Sequence, residues 1–238
     1  MQERDVTRAV EGLRQAAPRS LVGAVLERTG LDLERATWSS PLGPAVVVWG
    51  KQGVVSIDPA AEPVGRAIPQ RLRESLDRLM AGKRARVALD LRDVSPFERA
   101  VLGKTAEIPF GQVRSYAWVA KEIGHPAAVR AVGTALGRNP VPLVVPCHRV
   151  VRTDGSVGNY GFGSPAKRAL LTAEGADPDG LERLASGGTR FVGSATTRVY
   201  CHPTCVHARR IADRNRVPLR SAADAATRGF RACLTCRP

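Results

Sequence analysis

The sequence lacks any apolar run long enough to cross a bilayer, and its first residues, Met1–Asp5, are polar and charged, unlike a secretory signal. We therefore expect a cytoplasmic protein. The sequence also lacks an internal repeat and the compositional bias of a disordered or fibrous chain, since 43% of its residues are hydrophobic and 24% are charged. Its 238 residues suffice for one large domain or for two to three small ones.

Lysine is scarce: five of the 36 basic residues are Lys, so arginine carries most of the net charge of +14. That charge is uneven, with a net +7 in residues 191–238, +5 in residues 94–175 and only +2 in residues 1–93 and 176–190 together. The two basic stretches also hold every cysteine. This clustering favours a polyanionic partner, nucleic acid first, over the alternative of a solvated arginine-rich surface.

The five cysteines are an odd number, and they divide into one isolated residue, Cys147, and four in the last 38 residues. The four form two close pairs, Cys201 with Cys205 and Cys233 with Cys236. In a reducing compartment such pairs indicate a metal site rather than two disulfides. Four thiolates in this spacing are typical of one tetrahedral structural zinc ion, which makes a purely structural zinc module the simplest interpretation.

Residues 1–93 show helical and strand patterns without visible chemistry, and we interpret them as scaffold. The predicted elements are helices at 5–16 and 20–29, a hairpin made of Ala45–Trp49 and Val54–Ile57, an amphipathic helix at 69–81 and a strand at Val87–Leu91. They divide this part into an N-terminal helical extension, residues 1–35, and a small α/β unit, residues 36–93.

Residues 94–176 turn helical and contain a candidate helix-turn-helix. Ser95-Pro96 opens a first helix, Ser115 caps a second, and His125-Pro126 starts a third, predicted at Ala127–Leu136. The last two helices, joined by a short Gly-His-Pro turn, match the helix-turn-helix pattern, although an ordinary helical hairpin would read the same. The candidate DNA-facing residues of the third helix are Arg130, Ala131, Gly133 and Thr134.

The remaining chain is predicted as a linker followed by a small module. Residues 177–190 are rich in Asp, Gly, Pro and Ser, which favours a linker. Residues 191–238 form the cysteine-rich module, with a helix expected at Ala222–Ala226. The fold class predicted for the chain is therefore α+β with several domains.

Cys147 ends an apolar run and is followed directly by His148. A free thiol has a pKa of about 8.5 and is only partly ionised at neutral pH, so a nucleophilic cysteine needs a base or a positive field beside it. His148 is the candidate base, and Glu174 is available as the carboxylate that orients it. The alternative is a buried structural cysteine that happens to adjoin a histidine.

The residues around Cys147 resemble the active-site signature of the O6-alkylguanine-DNA alkyltransferases. The resemblance covers roughly residues 36–175 and extends through several motifs in the family's order and spacing. These motifs are Pro146–Val150, Ile108–Tyr116, Val129–Gly133, Asn139-Pro140, Gly155–Gly163, Lys167–Glu174, Pro41–Pro44 and Leu89–Leu91.

The resemblance implies a fold, a reaction and a set of residue roles. It implies a ribonuclease-H-like subdomain at 36–93 and a winged-helix-like catalytic domain at 94–176. It also implies transfer of an alkyl group from guanine O6, or from thymine O4, to Cys147, once per molecule. The expected partner is double-stranded DNA, bound through its minor groove by a monomer that needs no organic cofactor.

The same resemblance assigns individual roles. His148 takes the thiol proton through a water and Glu174 holds the imidazole. Asn139 braces the turn that carries the cysteine, and Tyr116 crowds the target phosphate and donates a proton to the departing guanine. Arg130 fills the space that the extruded base leaves, and Tyr160 forms a wall of the base pocket.

The cysteine-rich module resembles the zinc domain of the Ada methylation-response proteins. The matching segments are Phe191-Val192, Ala195–Cys205 and Gly229–Pro238. The resemblance implies that Cys201, a zinc-bound thiolate, accepts a methyl group from DNA methylphosphotriesters, which would lower the negative charge of the centre and raise its affinity for DNA. This module follows the alkyltransferase part instead of preceding it, no AraC-type regulator helices are evident, and His202 and Ala232 replace the usual Arg and Pro. A structural or DNA-tethering role for the zinc therefore stays open.

Two function classes thus compete. The first is a single-turnover repair enzyme, and the second is a zinc-dependent DNA-binding or damage-sensing protein in which Cys147 is inert. A Cys–His protease is less favoured, because Cys147 and His148 are adjacent in sequence and lie near a helix-turn-helix pattern.

Overall fold

The computed structural model describes residues 33–59 and 67–238. The first of these ranges forms a three-stranded sheet in the order β1 (Glu34–Ser40), β2 (Gly43–Gly50) and β3 (Gly53–Pro59). Strands β2 and β3 are antiparallel, with Val47 opposite Ile57, so the predicted hairpin is confirmed. The helices expected at 5–16 and 20–29 lie outside the described residues.

Helix α1 (Gln70–Met80) packs on this sheet, which confirms the amphipathic helix predicted at 69–81. Its Leu76 is fully buried, and its Asp77 accepts a hydrogen bond of 2.9 Å from the Trp38 indole of β1. The strand predicted at Val87–Leu91 is wrong. That segment meets the sheet through a single bridge between Leu89 and Val54, because it approaches only the start of β3 and pairs with no further residue of that strand.

Three helices follow and form one packed core. They are α2 (Pro96–Ala106), α3 (Tyr116–Glu122) and α4 (Val129–Gly137). The Ser95 side chain begins α2 in a capping box with Glu98, and the Ser115 hydroxyl accepts the Trp118 N–H at 3.1 Å to begin α3. Both predicted caps are confirmed. Helix α4 begins two residues later than the apolar pattern indicated, after a turn through His125.

A short parallel bridge links the entrance of α3 to the segment that follows Cys147. It joins β4 (Arg114–Ser115) to β5 (Val150–Val151), directly after a 3-10 turn at Cys147–Arg149. Helix α5 (Ser164–Ala173) comes next and ends at Glu174.

The segment predicted as a linker is instead a packed helix, α6 (Pro178–Ser186). The Asp177 side chain accepts the Gly180 N–H at 2.8 Å, and Pro178 occupies the first turn, where its missing N–H costs nothing. Leu181 is buried against Leu171 and Val157. The Asp, Pro and Gly residues that suggested a linker are therefore helix-start and helix-stop signals.

The elements of the cysteine-rich module are β6 (Phe191–Ser194), β7 (Val199–Cys201), α7 (Val206–Arg209), β8 (Arg216–Leu219), α8 (Ala222–Thr227) and β9 (Arg231–Ala232). Its strands form a four-stranded sheet in the order β8-β6-β7-β9. The architecture is thus α+β, as predicted. Across the described ranges, no helix combines the length and apolarity that a membrane crossing requires.

Candidate active site and metal centre

Cys147 stands at the start of the 3-10 turn and is buried. The Asn139 side chain amide donates to the Cys147 Sγ at 3.1 Å and to the Val145 carbonyl at 2.9 Å. Its Oδ1 accepts the Val141 N–H at 3.1 Å. The segment between is rich in proline and holds Leu143 in a left-handed conformation, so it cannot form a helix and depends on these three bonds. Asn139 therefore fixes both the loop and the sulfur.

His148 and Glu174 form a buried pair behind the cysteine. The His148 Nε2 lies 2.8 Å from the Glu174 Oε1, and the imidazole is 1% exposed. Since an ionised carboxylate only accepts hydrogen bonds, Nε2 carries the proton and Nδ1 keeps the lone pair. That Nδ1 is buried and bonds no protein atom. Burial lowers the pKa of His148 despite the opposing effect of Glu174, so the ring is uncharged at neutral pH.

Glu174 accepts hydrogen bonds from four donor groups. Besides His148, the Arg149 guanidinium donates from Nε and Nη2 at 2.8 Å each, and the Gly111 N–H donates at 3.1 Å. Burial alone would raise the pKa of Glu174, but the bonds from His148 and Arg149 outweigh it and lower that pKa to about 2. The carboxylate is consequently charged across the physiological range.

The thiol itself is protonated at rest. Burial raises the pKa of Cys147, and the Asn139 amide, the Tyr160 hydroxyl and the Lys167 ammonium only partly offset this. Lys167 is fully buried, donates to the Val150 carbonyl at 2.6 Å and the Asn159 carbonyl at 3.2 Å, and has a pKa lowered by burial to about 8. Ionisation of the sulfur therefore needs a base at the moment of reaction.

A cleft of about 400 Å³ opens onto Cys147. Tyr116, Asn139 and Tyr160 line it together with Gly133 of α4. Burial raises the pKa of both tyrosines, which keeps their hydroxyl groups protonated at neutral pH. Five of the residues singled out from the sequence thus meet at one cleft, whereas His148 and Glu174 do not line it and reach the site through the segment that carries Cys147.

The exposed face of α4 carries the residues expected to contact DNA. Arg130, Ala131 and Thr134 are exposed, Gly133 is half-buried, and the opposite face of the helix is buried. The helix therefore presents one long cation among small side chains, and through Gly133 it also reaches the cleft.

Three residues that assist this arrangement were not assigned a role from the sequence: Arg149, Lys167 and Gly111. Arg149 and Lys167 fall inside the resemblance motifs, but charged residues there read as surface until their burial is known. Gly111 has a left-handed φ of 69°, and a Cβ at this position would overlap the Glu174 carbonyl oxygen. The Pro-Phe-Gly motif signals such a turn but does not reveal what approaches it.

The four remaining cysteines converge on one point. Their sulfur atoms all lie within 4.8 Å of one another, and all four residues are buried. Tetrahedral zinc–thiolate geometry needs sulfur atoms about 3.8 Å apart, from bonds of about 2.3 Å. Hydrogen bonds from the Cys201 and Cys236 thiols lower the pKa of Cys205, and the bonds that Cys201 itself makes to Cys205 and Cys236 raise the pKa of Cys201. A central divalent cation would stabilise all four thiolates at once, so the donor set fits zinc.

Cys201 alone among these four lines a second cleft, of about 480 Å³. His207, Arg210 and Arg231 also line it, together with Thr197 and other small polar residues. One of the four candidate metal ligands therefore lines a basic cleft that the other three do not line.

Two family profiles match the parts of the chain that hold Cys147 and the four-cysteine cluster. The family profile described as the 6-O-methylguanine DNA methyltransferase DNA-binding domain matches residues 96–176, and the one described as the metal-binding domain of Ada matches residues 184–238.

Curated relatives carry the name methylated-DNA–protein-cysteine methyltransferase. One from Mycolicibacterium paratuberculosis is 37% identical over 60% of this chain and 92% of its own length. One from Mycobacterium bovis is 48% identical over 37% of this chain, which spans about half of that relative, 53%. A crystal structure of Mycobacterium tuberculosis OGT in complex with DNA is similar with a TM-score of 0.52 at 33% identity, covering 62% of this chain and 97% of that one. The chain belongs to the methylated-DNA–protein-cysteine methyltransferase family and carries a C-terminal metal-binding domain of the Ada type.

Proposed function

We propose that this protein repairs alkylated DNA by transferring the alkyl group from guanine O6, and from thymine O4, to the Cys147 sulfur. The observation that carries the proposal is the hydrogen-bonded pair of His148 and Glu174, in which His148 directly follows Cys147 in the sequence. Cys147 itself lines a cleft that helix α4 borders. Neither residue pair nor helix alone would support it, since buried Cys–His neighbours and helical hairpins are both common.

The proton path follows from the tautomer of His148. A water bonded to the free Nδ1 would carry the Cys147 proton to the imidazole, and the Glu174 carboxylate would stabilise the resulting imidazolium. The thiolate then attacks the alkyl carbon, a carbon–sulfur bond forms, and the carbon–O6 bond breaks with its electron pair moving onto guanine. The protonated hydroxyl of Tyr116 supplies a proton to the leaving base.

The target base must leave the duplex, because an O6 substituent is unreachable inside the stack. Helix α4 would lie in the minor groove of double-stranded DNA, with Ala131, Gly133 and Thr134 against the groove and Arg130 in the space left by the base. Tyr160 and the neighbouring glycines would then close over the extruded guanine in the cleft. The DNA complex of the Mycobacterium tuberculosis relative supports a nucleic-acid partner.

The product is a thioether, which does not leave readily, so each molecule would act once. The test is titration of an oligonucleotide containing O6-methylguanine with wild-type protein and with Cys147→Ser. We expect wild type to repair one lesion per molecule and the variant to repair none while retaining DNA affinity. Multiple turnovers, or lesion loss with Cys147 unmodified by peptide mass spectrometry, would contradict the proposal. If wild type binds this DNA as tightly as Cys147→Ser does but transfers no alkyl group, the result would favour the damage-sensing alternative.

A second transfer, from methylphosphotriesters to Cys201, is favoured by the basic cleft that Cys201 alone among the zinc ligands lines. One Zn²⁺ bound by Cys201, Cys205, Cys233 and Cys236 would keep the sulfur ionised without a base. Mass spectrometry after exposure to methylphosphotriester DNA tests this: methyl on Cys201 supports it, and an unmodified Cys201 leaves a structural zinc module.

The remaining details are part of the same proposal. We assign a ribonuclease-H-like subdomain to residues 36–93, a winged-helix-like catalytic domain to 94–176 and the zinc domain to 191–238. We further propose a monomer that acts in the cytoplasm, associated with the nucleoid, and that uses no organic cofactor.

A further inference from the structure

The zinc module contacts the loop that enters α3. The Val113 N–H donates to the Thr204 hydroxyl at 2.9 Å in a buried hydrogen bond, and the Arg209 guanidinium donates to the Gly111 carbonyl oxygen. Thr204 and Arg209 flank Cys205, one residue before it and four residues after it. Two polar side chains next to a zinc ligand therefore hold the loop of residues 109–113.

This loop also contacts the catalytic carboxylate. The Gly111 N–H donates to the Glu174 Oε2 at 3.1 Å, while the carbonyl of the same residue accepts from Arg209. Gly111 is buried, has a left-handed φ of 69° and leaves no room for a Cβ against Glu174. The backbone of Gly111 therefore links the two parts of the protein. Its carbonyl accepts from Arg209 of the zinc module, and its N–H donates to Glu174, the partner of His148.

A second set of contacts fixes the module to α3. The Trp118 indole donates to the Arg237 carbonyl at 3.0 Å, and the Arg237 guanidinium pairs with Glu122 at 2.6 Å. These contacts involve the chain segment next to Cys236. Both ends of the cysteine cluster are therefore tied to the catalytic part, so the arrangement of the metal site sets where Arg209 lies.

We infer that Arg209 is a positioning residue for guanine repair: through Gly111 it holds Glu174, and the zinc-ordered module thereby completes the Cys147 site. The inference rests on the proposed transfer to Cys147. It assigns the C-terminal module a role in the first reaction, separate from any methyl transfer to Cys201.

The expected consequence follows from the charges around His148. Its ring faces Glu174, Arg149 and Lys167, and it meets the Tyr160 ring edge to face. Of these groups, only Glu174 raises the pKa of His148. A less firmly held Glu174 would stabilise the imidazolium less, so the pKa of His148 would fall and the ring would be a weaker base. The rate should then decrease, and the rise of the rate with pH should occur at lower pH. A variant that merely contained less folded protein would lower the rate without moving this profile.

The experiment compares Arg209→Ala, Arg209→Lys and the exposed control Arg214→Ala. Methylation of Cys147 by an O6-methylguanine oligonucleotide is followed in single turnovers at several pH values with saturating, zinc-loaded protein, and bound zinc is measured. We expect Arg209→Ala to lower the maximal rate on the order of tenfold, with the half-saturating concentration and zinc content unchanged. Arg209→Lys should recover most of the loss, because an ammonium still donates to the carbonyl, and Arg214→Ala should match wild type.

A second pair of variants, at Thr204, tests the inference independently in case the Arg209 variants fold poorly. Thr204→Val removes the acceptor of the Val113 N–H at nearly constant volume, and Thr204→Ser keeps it. We expect the valine variant to show the slower rate and the shifted profile, and the serine variant to show neither.

Wild-type rates and profiles in both Arg209→Ala and Thr204→Val would overturn the inference. A slower Arg209→Ala that loses zinc in proportion and is not rescued by lysine would overturn it too, since the arginine would then serve only the module's own fold. Failure of the proposed function is distinct: wild type itself would leave Cys147 unmethylated.

Discussion

Arg149 clamps Glu174 with two parallel hydrogen bonds of 2.8 Å, from Nε to Oε2 and from Nη2 to Oε1. A third bond, from Nη1 to the Ile108 carbonyl at 2.8 Å, fixes the guanidinium in turn. The carboxylate therefore cannot rotate away from His148, and the positive charge of Arg149 keeps it ionised inside the protein. Arg149, the residue directly after Cys147 and His148, therefore fixes the carboxylate that orients the His148 ring.

Arg149→Lys should impair repair although it preserves the charge. A lysine cannot make the two-pronged contact, so Glu174 would lose part of its restraint and His148 part of its orientation. We expect the single-turnover rate of Cys147 methylation to fall about tenfold or more. Arg168→Lys is the control, because Arg168 pairs with Asp179 near the surface, where an ion pair contributes little. Equal rates for the two variants would contradict this reading of the clamp.

Glu174 should make the stability of the protein pH-dependent at low pH. Its pKa is lowered to about 2 in the folded protein, whereas the unfolded chain has the ordinary value near 4.5. The ionised Glu174 carboxylate therefore stabilises the folded protein by about 3 kcal/mol. This contribution is present above pH 4.5 and is lost as the pH falls toward 2. Urea unfolding between pH 7 and pH 3 should show this loss in wild type.

The matched variants for that measurement are Glu174→Gln and Glu107→Gln. The first removes the ionisable group, so the difference in unfolding free energy between it and wild type should shrink as the pH falls. The second alters an exposed partner of Lys104 and should change the profile little. A wild-type and Glu174→Gln difference that is the same at pH 7 and pH 3 would refute the linkage.

Gly111 should tolerate no side chain. Gly111→Ala would suffer both an unfavourable left-handed φ and overlap with the Glu174 carbonyl, whereas Gly124→Ala, at a φ of 80° with open space around it, suffers only the first. We expect Gly124→Ala to cost about 1 kcal/mol and Gly111→Ala at least about 2 kcal/mol, with slower repair only in the latter. Chemical denaturation and single-turnover kinetics check both. If the two variants lose similar amounts of unfolding free energy, the loop of residues 109–113 can shift to accommodate a Cβ at position 111.

Asn139→Ala should loosen the cysteine itself. The change removes the hydrogen bond from the Asn139 amide to the Cys147 sulfur and leaves the Val141 N–H without its acceptor, while the Val145 carbonyl keeps only its bond from the Cys147 N–H. We expect the pKa of Cys147 to rise further and the protein to lose about 2 kcal/mol of stability. The pH dependence of Cys147 alkylation by iodoacetamide measures the first effect. An unchanged profile would show that Asn139 acts on the loop and not on the sulfur.

The parts of the fold that the sequence predicted well are those governed by local signals. The hairpin between β2 and β3, the capped starts of α2 and α3, and the amphipathic α1 each follow from residues within a few positions of one another. The strand expected at Val87–Leu91 failed because alternation cannot tell whether a partner strand lies alongside. The linker failed because Asp177 and Pro178 signal a helix start as well as a loop.

The candidate site divides in the same way. Its reactive residues were evident, since Cys147 and His148 are adjacent and the four other cysteines fall into pairs. The contacts that hold these residues in place were not evident, because their partners are far apart in sequence. Gly111 is 63 positions from Glu174, and Thr204 is 91 positions from Val113. Such contacts depend on how the zinc module packs against the loop before α3, and neither hydrophobic period nor motif spacing encodes that packing.

Metal removal should unfold the zinc module, because its apolar core is too small to persist alone. That core consists of Phe191, Tyr200, Leu219, Ala225 and Phe230, and the cysteine cluster replaces what a larger core would supply. After treatment with a strong chelator, we expect amide hydrogen exchange in residues 191–238 to accelerate by about a hundredfold or more, which corresponds to a loss of about 3 kcal/mol. The core around Val101 and Val119 should stay protected, since it forms a cluster separate from the four cysteines. Restoring zinc should restore protection, whereas magnesium, which prefers oxygen ligands, should not. If the metal-free module kept its slow exchange, the four cysteines would not be what orders it.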